Sequence, residues 1–184
     1  MGNIEKAFEQ NMDKRVEFPD YGKEFNAIVN GLQTPIEAPS FQYPARANPY
    51  LDMTSDAGRK YGLPDGLMDS LIFQESSFNP KAKSKAGAIG LAQIVPKWHP
   101  DVDPTDPETS IYYSAKYLRK LIDRYGNAED GLRAYNWGMG NLDKYKRGEI
   151  KKMPKETREY SNKILSRIRG KKSKSGSSVD KPLK

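Results

Sequence analysis

Between about residues 50 and 169 the apolar side chains recur densely at helical intervals, and outside that stretch the pattern is weak or broken. Leu67, Leu71 and Glu75 fall four apart, with Met68 and Ile72 beside them, which is the period of a helix with one buried face. A helix is therefore predicted over 64–75, with Pro64 in its first turn and a carboxylate closing the apolar row. Before it, the pattern predicts a helix over 49–61, capped by Asn48 and stopped by Gly62. Asp106 is the expected cap of a long helix starting at Pro107, with Glu108 in the first turn and Gly126 as its stop. Its inward face is Ile111, Ala115, Leu118, Leu121, Ile122 and Tyr125. Further helices are predicted over 127–137, 141–147 and 154–169, the last with Tyr160, Ile164, Leu165 and Ile168 inward. Residues 76–90 read as a loop, and Leu91 to Val95 as a short helical turn stopped by Pro96. No strand run of convincing length appears, although the 83–103 region has room for a small hairpin. The expected fold class is all-α, or α with a minor β-hairpin.

The flanks read differently. Residues 1–50 hold a weak helical pattern from Ile4 to Val16 and a short apolar group, Phe25, Ile28, Val29 and Leu32. Pro35, Pro39, Pro44 and Pro49 then interrupt any regular element. This is the composition of an arm that packs on something else. From Arg169 to Lys184 there are six basic residues and one acid, Asp180, which accounts for five of the seven net positive charges. Residues 170–184 are thus expected to be a disordered basic tail, and 51–169 a single domain, with only the remaining two net charges on the whole chain before Arg169. The tail can touch anionic polymers or headgroups without selectivity, so no specific nucleic-acid partner is expected.

Composition removes several chemistries. The chain has no cysteine, which excludes disulfides, thiolate metal sites and cysteine nucleophiles. Its one histidine, His99, reads as a surface loop residue between Trp98 and Pro100, too little for a histidine metal site or a serine–histidine pair. No apolar run approaches the roughly twenty residues that span a bilayer. The N-terminus lacks a basic region followed by an apolar one, so no secretory signal is expected.

Glu75 remains as the residue with chemistry to do. A carboxyl on an apolar helix face loses hydration, which disfavours its charged form and suits it to act as a general acid near neutral pH. Asn79-Pro80 turns the chain after it, and Gly87 and Gly90 permit close approach of backbone or sugar. Ser84, Gln93, Tyr135 and Asn136 are polar groups of the kind that bind sugar hydroxyls and acetamido groups.

The run Glu75-Ser76-x-Phe78-Asn79-Pro80-x-Ala82-x-Ser84-x-Ala86-Gly87-Ala88-x-Gly90-Leu91-x-Gln93-x-x-Pro96 resembles the signature of the soluble lytic transglycosylase family. Ala134-Tyr135-Asn136-x-Gly138 is similar to that family's second motif, and Glu156-Thr157-Arg158-x-Tyr160 to its third. Order and spacing agree across residues 55 to 168. The resemblance implies a goose-type-lysozyme-like fold and no metal or cofactor. Glu75 would be the sole acid/base, protonating the glycosidic oxygen between N-acetylmuramic acid and N-acetylglucosamine in peptidoglycan. The substrate's own acetamido group would stabilise the anomeric centre, and Glu75 would then draw the proton from the muramyl 6-hydroxyl, giving a 1,6-anhydro product. This is an exception to the two-carboxylate scheme of most glycosidases. Ser84 and Gln93 would lie near the acetamido group and sugar ring, Tyr135 near Glu75, and Tyr160 on the cleft wall, with Asn136 bracing its loop. One departure is visible: the family's usual Gly-Leu-Met-Gln is Gly90-Leu91-Ala92-Gln93 here, so a bulky wall of a sugar subsite is lost.

Two other readings stay open at this level. A muramidase on the same fold needs a second carboxylate, for which Asp101, Asp103 and Asp106 are the candidates. A catalytically idle wall-binding or virion module needs none. Because the substrate lies outside the cytoplasmic membrane and no leader is visible, delivery by other means is expected. A virion component acting at phage entry is favoured over an endolysin released by a holin or a part of a secretion machine. The N-terminal arm would then contact other virion or secretion-machine proteins.

Overall fold

The computed structural model describes residues 41–175, with side chains through Ile168. The helix expected from Ile4 to Val16, the apolar group at 25–32 and the chain beyond residue 175 lie outside the described residues. A 3-10 turn, Ala45–Ala47, leads into six helices: α1 (Asn48–Lys60), α2 (Leu67–Ser76), α3 (Pro107–Tyr125), α4 (Ala128–Trp137), α5 (Met139–Lys146) and α6 (Lys155–Ser175). No strand forms among the described residues. In place of a hairpin there are two isolated antiparallel pairings, Lys83 with Ile89 and Ile89 with Ile94. Leu91 to Val95 is likewise not helical, because Ile94 turns back to exchange backbone hydrogen bonds with Ile89.

Boundaries differ from the pattern where backbone conformation intervenes. Asn48 is the first residue of α1 rather than its cap, because the 3-10 turn runs straight into the helix and no side chain caps it. α2 starts at Leu67, three residues after Pro64, because Gly66 takes a left-handed conformation (φ 75°) between them. α3 begins and ends where Asp106, Pro107 and Gly126 predict: the Asp106 carboxylate accepts from the Thr109 N–H at 2.7 Å, and Gly126 closes the helix at φ 74°. Asn127 caps α4 through the Asp130 N–H. α6 continues to Ser175, past the Arg169 expected as its end. Gly170 alone is a weak breaker among lysines that favour helix.

α2 packs on α1 and α6, while α3 packs on α1 and α4, and α4 on α5 and α6. Leu67, Leu71 and Ile72 are fully buried, as are Ile111, Leu118, Leu121, Leu132, Leu142 and Ile164 from the other helices. Each such side chain withdrawn from water contributes about 1.5–3 kcal/mol. A buried polar tie joins α1 to α2, with the Thr54 hydroxyl donating to Asp69 at 2.6 Å. Close approach of α4 to α3 depends on Gly131, where a Cβ would lie 2.7 Å from Ile122 Cγ1.

The loop after α2 is held by Gly90. Its N–H donates to the Ala82 carbonyl at 2.9 Å, and its φ is +77°. A Cβ there would lie 2.0 Å from the Pro104 carbonyl oxygen. Gly90→Ala is therefore expected to cost about 3 kcal/mol, combining backbone strain with a backbone clash. Urea denaturation followed by circular dichroism should show this as a lower midpoint with the helix content of the folded state retained.

Candidate active site

Glu75 sits on the last turn of α2, one helical turn after the buried Leu71. The chain leaves the helix abruptly. Ser77 (φ 51°) and Phe78 (φ 62°) are both left-handed, and Gln93 (φ 50°) is the third non-glycine residue in that region. Left-handed backbone is costly for side-chain-bearing residues and is tolerated where surroundings over-determine it. Here Phe78 is fully buried and its ring is packed edge-on against Tyr43 at 5.5 Å and stacked on Tyr50 at 6.4 Å. All three residues adjoin Glu75 or the loop facing it, so the strain is concentrated at the site.

The Glu75 side chain is half-buried. Loss of hydration pushes its pKa from 4.5 up to about 7, partly offset by a hydrogen bond donated by the Tyr160 hydroxyl. No carboxylate or cation among the described residues adds to this balance. Tyr160 reaches the site from α6 and is itself buried. Burial first, and then the Glu75 charge, hold the phenols of both Tyr160 and Tyr135 well above the usual tyrosine value, so both remain protonated donors. The Tyr135 hydroxyl, from α4, donates to the Ala92 carbonyl at 3.1 Å and so ties the loop to the helix.

The raised acid has a consequence for stability. Below about pH 4.5 Glu75 is neutral in both folded and unfolded chains and costs nothing. Between about pH 4.5 and 7 the unfolded chain releases this proton while the folded chain keeps it, so stability falls across that window and levels off above about 7. Glu75→Gln removes this loss. The variant should match wild type near pH 4 and exceed it by up to about 3 kcal/mol at pH 8, as read from denaturation midpoints at the two pH values.

The other expected residues divide into two groups. Glu75, Tyr160 and Tyr135 come together. Gln93 lies in the facing loop, and its Nε2 donates to the carbonyls of Gly90 at 3.0 Å and Ala82 at 3.4 Å, neither bond using the side-chain oxygen. Ser84 is exposed in its turn, where its hydroxyl accepts from the Ala88 N–H at 3.0 Å. Asn136 accepts from the Thr157 hydroxyl at 2.9 Å, joining α4 to α6. Asp103 and Asp106 serve the turn and cap before α3, where hydrogen bonds from Thr105 and Thr109 hold them below the usual carboxylate range. Asp101 is exposed.

His99 corrects the sequence reading. It is half-buried rather than a surface loop residue, because its ring packs edge-on against Tyr113 and Tyr117 and its Nδ1 lies 2.6 Å from the Tyr113 hydroxyl. Tyr117 in turn meets Tyr135 at 5.8 Å, so an aromatic row leads from the 95–102 loop toward Glu75. Tyr113 and Tyr117, four apart on α3, were detectable as a helical pair but lay beside the stronger aliphatic face.

Comparison with known proteins agrees with this fold. The family model described as Transglycosylase SLT domain matches residues 52–157. A Transglycosylase of Enterobacteria phage PRD1 is 31% identical over 115 residues, covering 61% of this chain and 40% of the relative. The Membrane-bound lytic murein transglycosylase C of Shigella sonnei (strain Ss046) is 48% identical over 119 residues, covering 53% of this chain and 33% of the relative. Among solved structures, the 70 kDa soluble lytic transglycosylase SLT70 from Escherichia coli superposes with a TM-score of 0.57 at 28% identity, over 69% of this chain and 24% of that one. The chain thus spans less than half the length of these relatives. With a family model matching more than half of its length, the chain belongs to the transglycosylase SLT domain family.

Proposed function

We propose that this chain is a peptidoglycan lytic transglycosylase that cleaves the bond between N-acetylmuramic acid and N-acetylglucosamine and leaves a 1,6-anhydro end. The observation that carries this reading is a single carboxyl group, raised to about 7, with no second carboxylate in its electrostatic surroundings among the described residues. Near neutral pH a substantial fraction of Glu75 is protonated and can donate to the departing glycosidic oxygen. The substrate acetamido group then shields the anomeric carbon. The Glu75 carboxylate takes the proton of the muramyl 6-hydroxyl, whose oxygen closes on that carbon. The acid is regenerated and no water is consumed. Tyr160 holds the carboxyl from one side, and Tyr135 and Gln93 line the approach. Ser84 contributes through the loop it braces and Asn136 through its tie between α4 and α6, and a sugar contact from either is part of this proposal. No metal and no cofactor has a step to perform in this sequence.

Asp103 and Asp106 give their oxygens to their own turn and cap, and those hydrogen bonds hold them below the usual carboxylate range, which makes them weak bases for a hydrolytic muramidase. Release of soluble fragments from purified sacculi by the full chain, absent with Glu75→Gln, is the expected result. Wild type that binds sacculi without releasing fragments would instead make the chain a wall-binding module.

We further place the activity in local wall penetration at phage entry. The support is the similarity to a phage transglycosylase; no helix among the described residues is long and apolar enough to cross a membrane. Probing purified particles for the chain tests this. Its absence there, with accumulation only in late lysates, would favour an endolysin.

A further inference from the structure

The face of α2 turned away from the site is gripped by residues that lie outside the family-matched segment 52–157. Arg167 of α6 packs against a touching pair of rings, with its guanidinium carbon 5.2 Å from the centre of Phe41 and 4.8 Å from that of Phe73. Its Nη2 donates to Gln74 Oε1 at 2.9 Å, and its Nη1 lies 3.5 Å from the Ser70 carbonyl. Segment 41–46 completes the grip. Phe41 meets Phe73 edge-on at 4.9 Å, the Tyr43 hydroxyl is 3.0 Å from Ser70 Oγ, and Arg46 Nε donates to the Ser77 carbonyl at 2.7 Å. Ser70, Phe73, Gln74 and Ser77 are thereby all held, and Glu75 lies among them in sequence.

Tyr160 and Arg167 are seven residues apart, two turns along one face of α6. One holds Glu75 and the other its neighbour Gln74. α6 therefore fixes the end of α2 at two points, and segment 41–46 presses the second point from outside. Arg suits this place because its broad guanidinium lies against the rings while its two terminal nitrogens reach Gln74 and Ser70 together; a lysine ammonium is a single point and cannot span all of these at once. Arg167 is not among the groups acting electrostatically on Glu75, so its influence is geometric.

We propose that Arg167, packed against the Phe41–Phe73 pair and bonded to Gln74, is a positioning residue that sets the last turn of α2 and thereby the placement of Glu75. This rests on the reading of Glu75 as the acid. Loosening this contact lets the turn open, readmits water to the carboxyl, and lowers the fraction of acid correctly placed at neutral pH.

The test is a pH titration of the Glu75 side-chain carboxyl in the ¹³C-labelled full chain, with its signal assigned by its loss in Glu75→Gln, alongside kcat and KM on purified peptidoglycan. Wild type is expected to titrate near 7. Arg167→Met should titrate lower by about one pH unit, toward 4.5, with kcat down roughly tenfold and KM little changed. Arg167→Lys should not restore either value, and Phe41→Ala should move both in the same direction. A folded Arg167→Met with wild-type titration and kcat would overturn the proposal, as would full rescue by lysine. If Arg167→Met does not fold, Phe41→Ala decides by the same two readings. A wild-type midpoint in the ordinary carboxylate range would instead remove the acid reading of Glu75, and the proposal with it.

Discussion

Replacing Glu75 by Gln is expected to lower peptidoglycan cleavage by roughly 10²- to 10⁴-fold at neutral pH, the range that a lone general acid/base contributes. The size follows from the absence of a substitute. No other carboxylate among the described residues acts on the site, and Asp103 and Asp106 are engaged in their own turn and cap. Gln keeps the shape of the side chain but has no proton to give and no base to take one back, so both halves of the reaction are lost together. Glu75→Asp should recover little, because the shorter side chain withdraws the carboxyl from the Tyr160 hydroxyl. The same Glu75→Gln protein is expected to be more stable than wild type above pH 7. Inactivity together with higher stability separates loss of chemistry from loss of fold, and rates on purified sacculi measured beside denaturation midpoints would check both.

The second large effect is expected from Tyr160→Phe. Burial raises the Glu75 pKa and the Tyr160 hydrogen bond lowers it. Removing the hydroxyl while keeping the ring leaves the burial and deletes the opposing contribution, so the folded-state pKa rises above about 7. The acid then survives to higher pH, and the alkaline limb of kcat/KM moves upward. At its optimum the variant should still be slower, by roughly tenfold, because the carboxyl is no longer oriented by a donor. A pH profile of kcat/KM for the two proteins measures this. An alkaline limb that stayed in place or moved down would contradict the assignment of Tyr160 as the donor that restrains the acid. Opposite movements are thus expected from two residues on one face of α6: upward for Tyr160→Phe and downward for Arg167→Met.

Much of the frame was legible in the chain itself. α3 could be placed end to end because its cap, its first-turn proline and its terminal glycine each have a local cause. The burial of Glu75 followed from its place four residues after Leu71, a relation within one helix. Motif order then supplied Tyr135 and Tyr160, which periodicity alone would have left as inward-facing rings. What stayed hidden depends on contacts distant in sequence or on backbone that residue type does not announce. Tyr160 and Glu75 are 85 residues apart. The left-handed conformations of Ser77, Phe78 and Gln93 could not be anticipated, since none of them is glycine. Nothing in the pattern marks Phe41 and Tyr43, because their partners Phe73, Phe78 and Arg167 come from α2, the loop after it, and α6. His99 was misplaced for a related reason: a histidine in a proline-flanked loop looks exposed until Tyr113 and Tyr117 are brought beneath it.

The central claim is that Glu75 serves as acid and then base without water entering the product. Digestion of purified peptidoglycan by the full wild-type chain in heavy-oxygen water, followed by mass spectrometry of the released muropeptides, tests it most directly. The account predicts ends one water lighter than ordinary reducing sugars, free of the heavy label, and absent with Glu75→Gln. Reducing ends carrying the label would contradict it and make the enzyme a hydrolase with a base yet to be found.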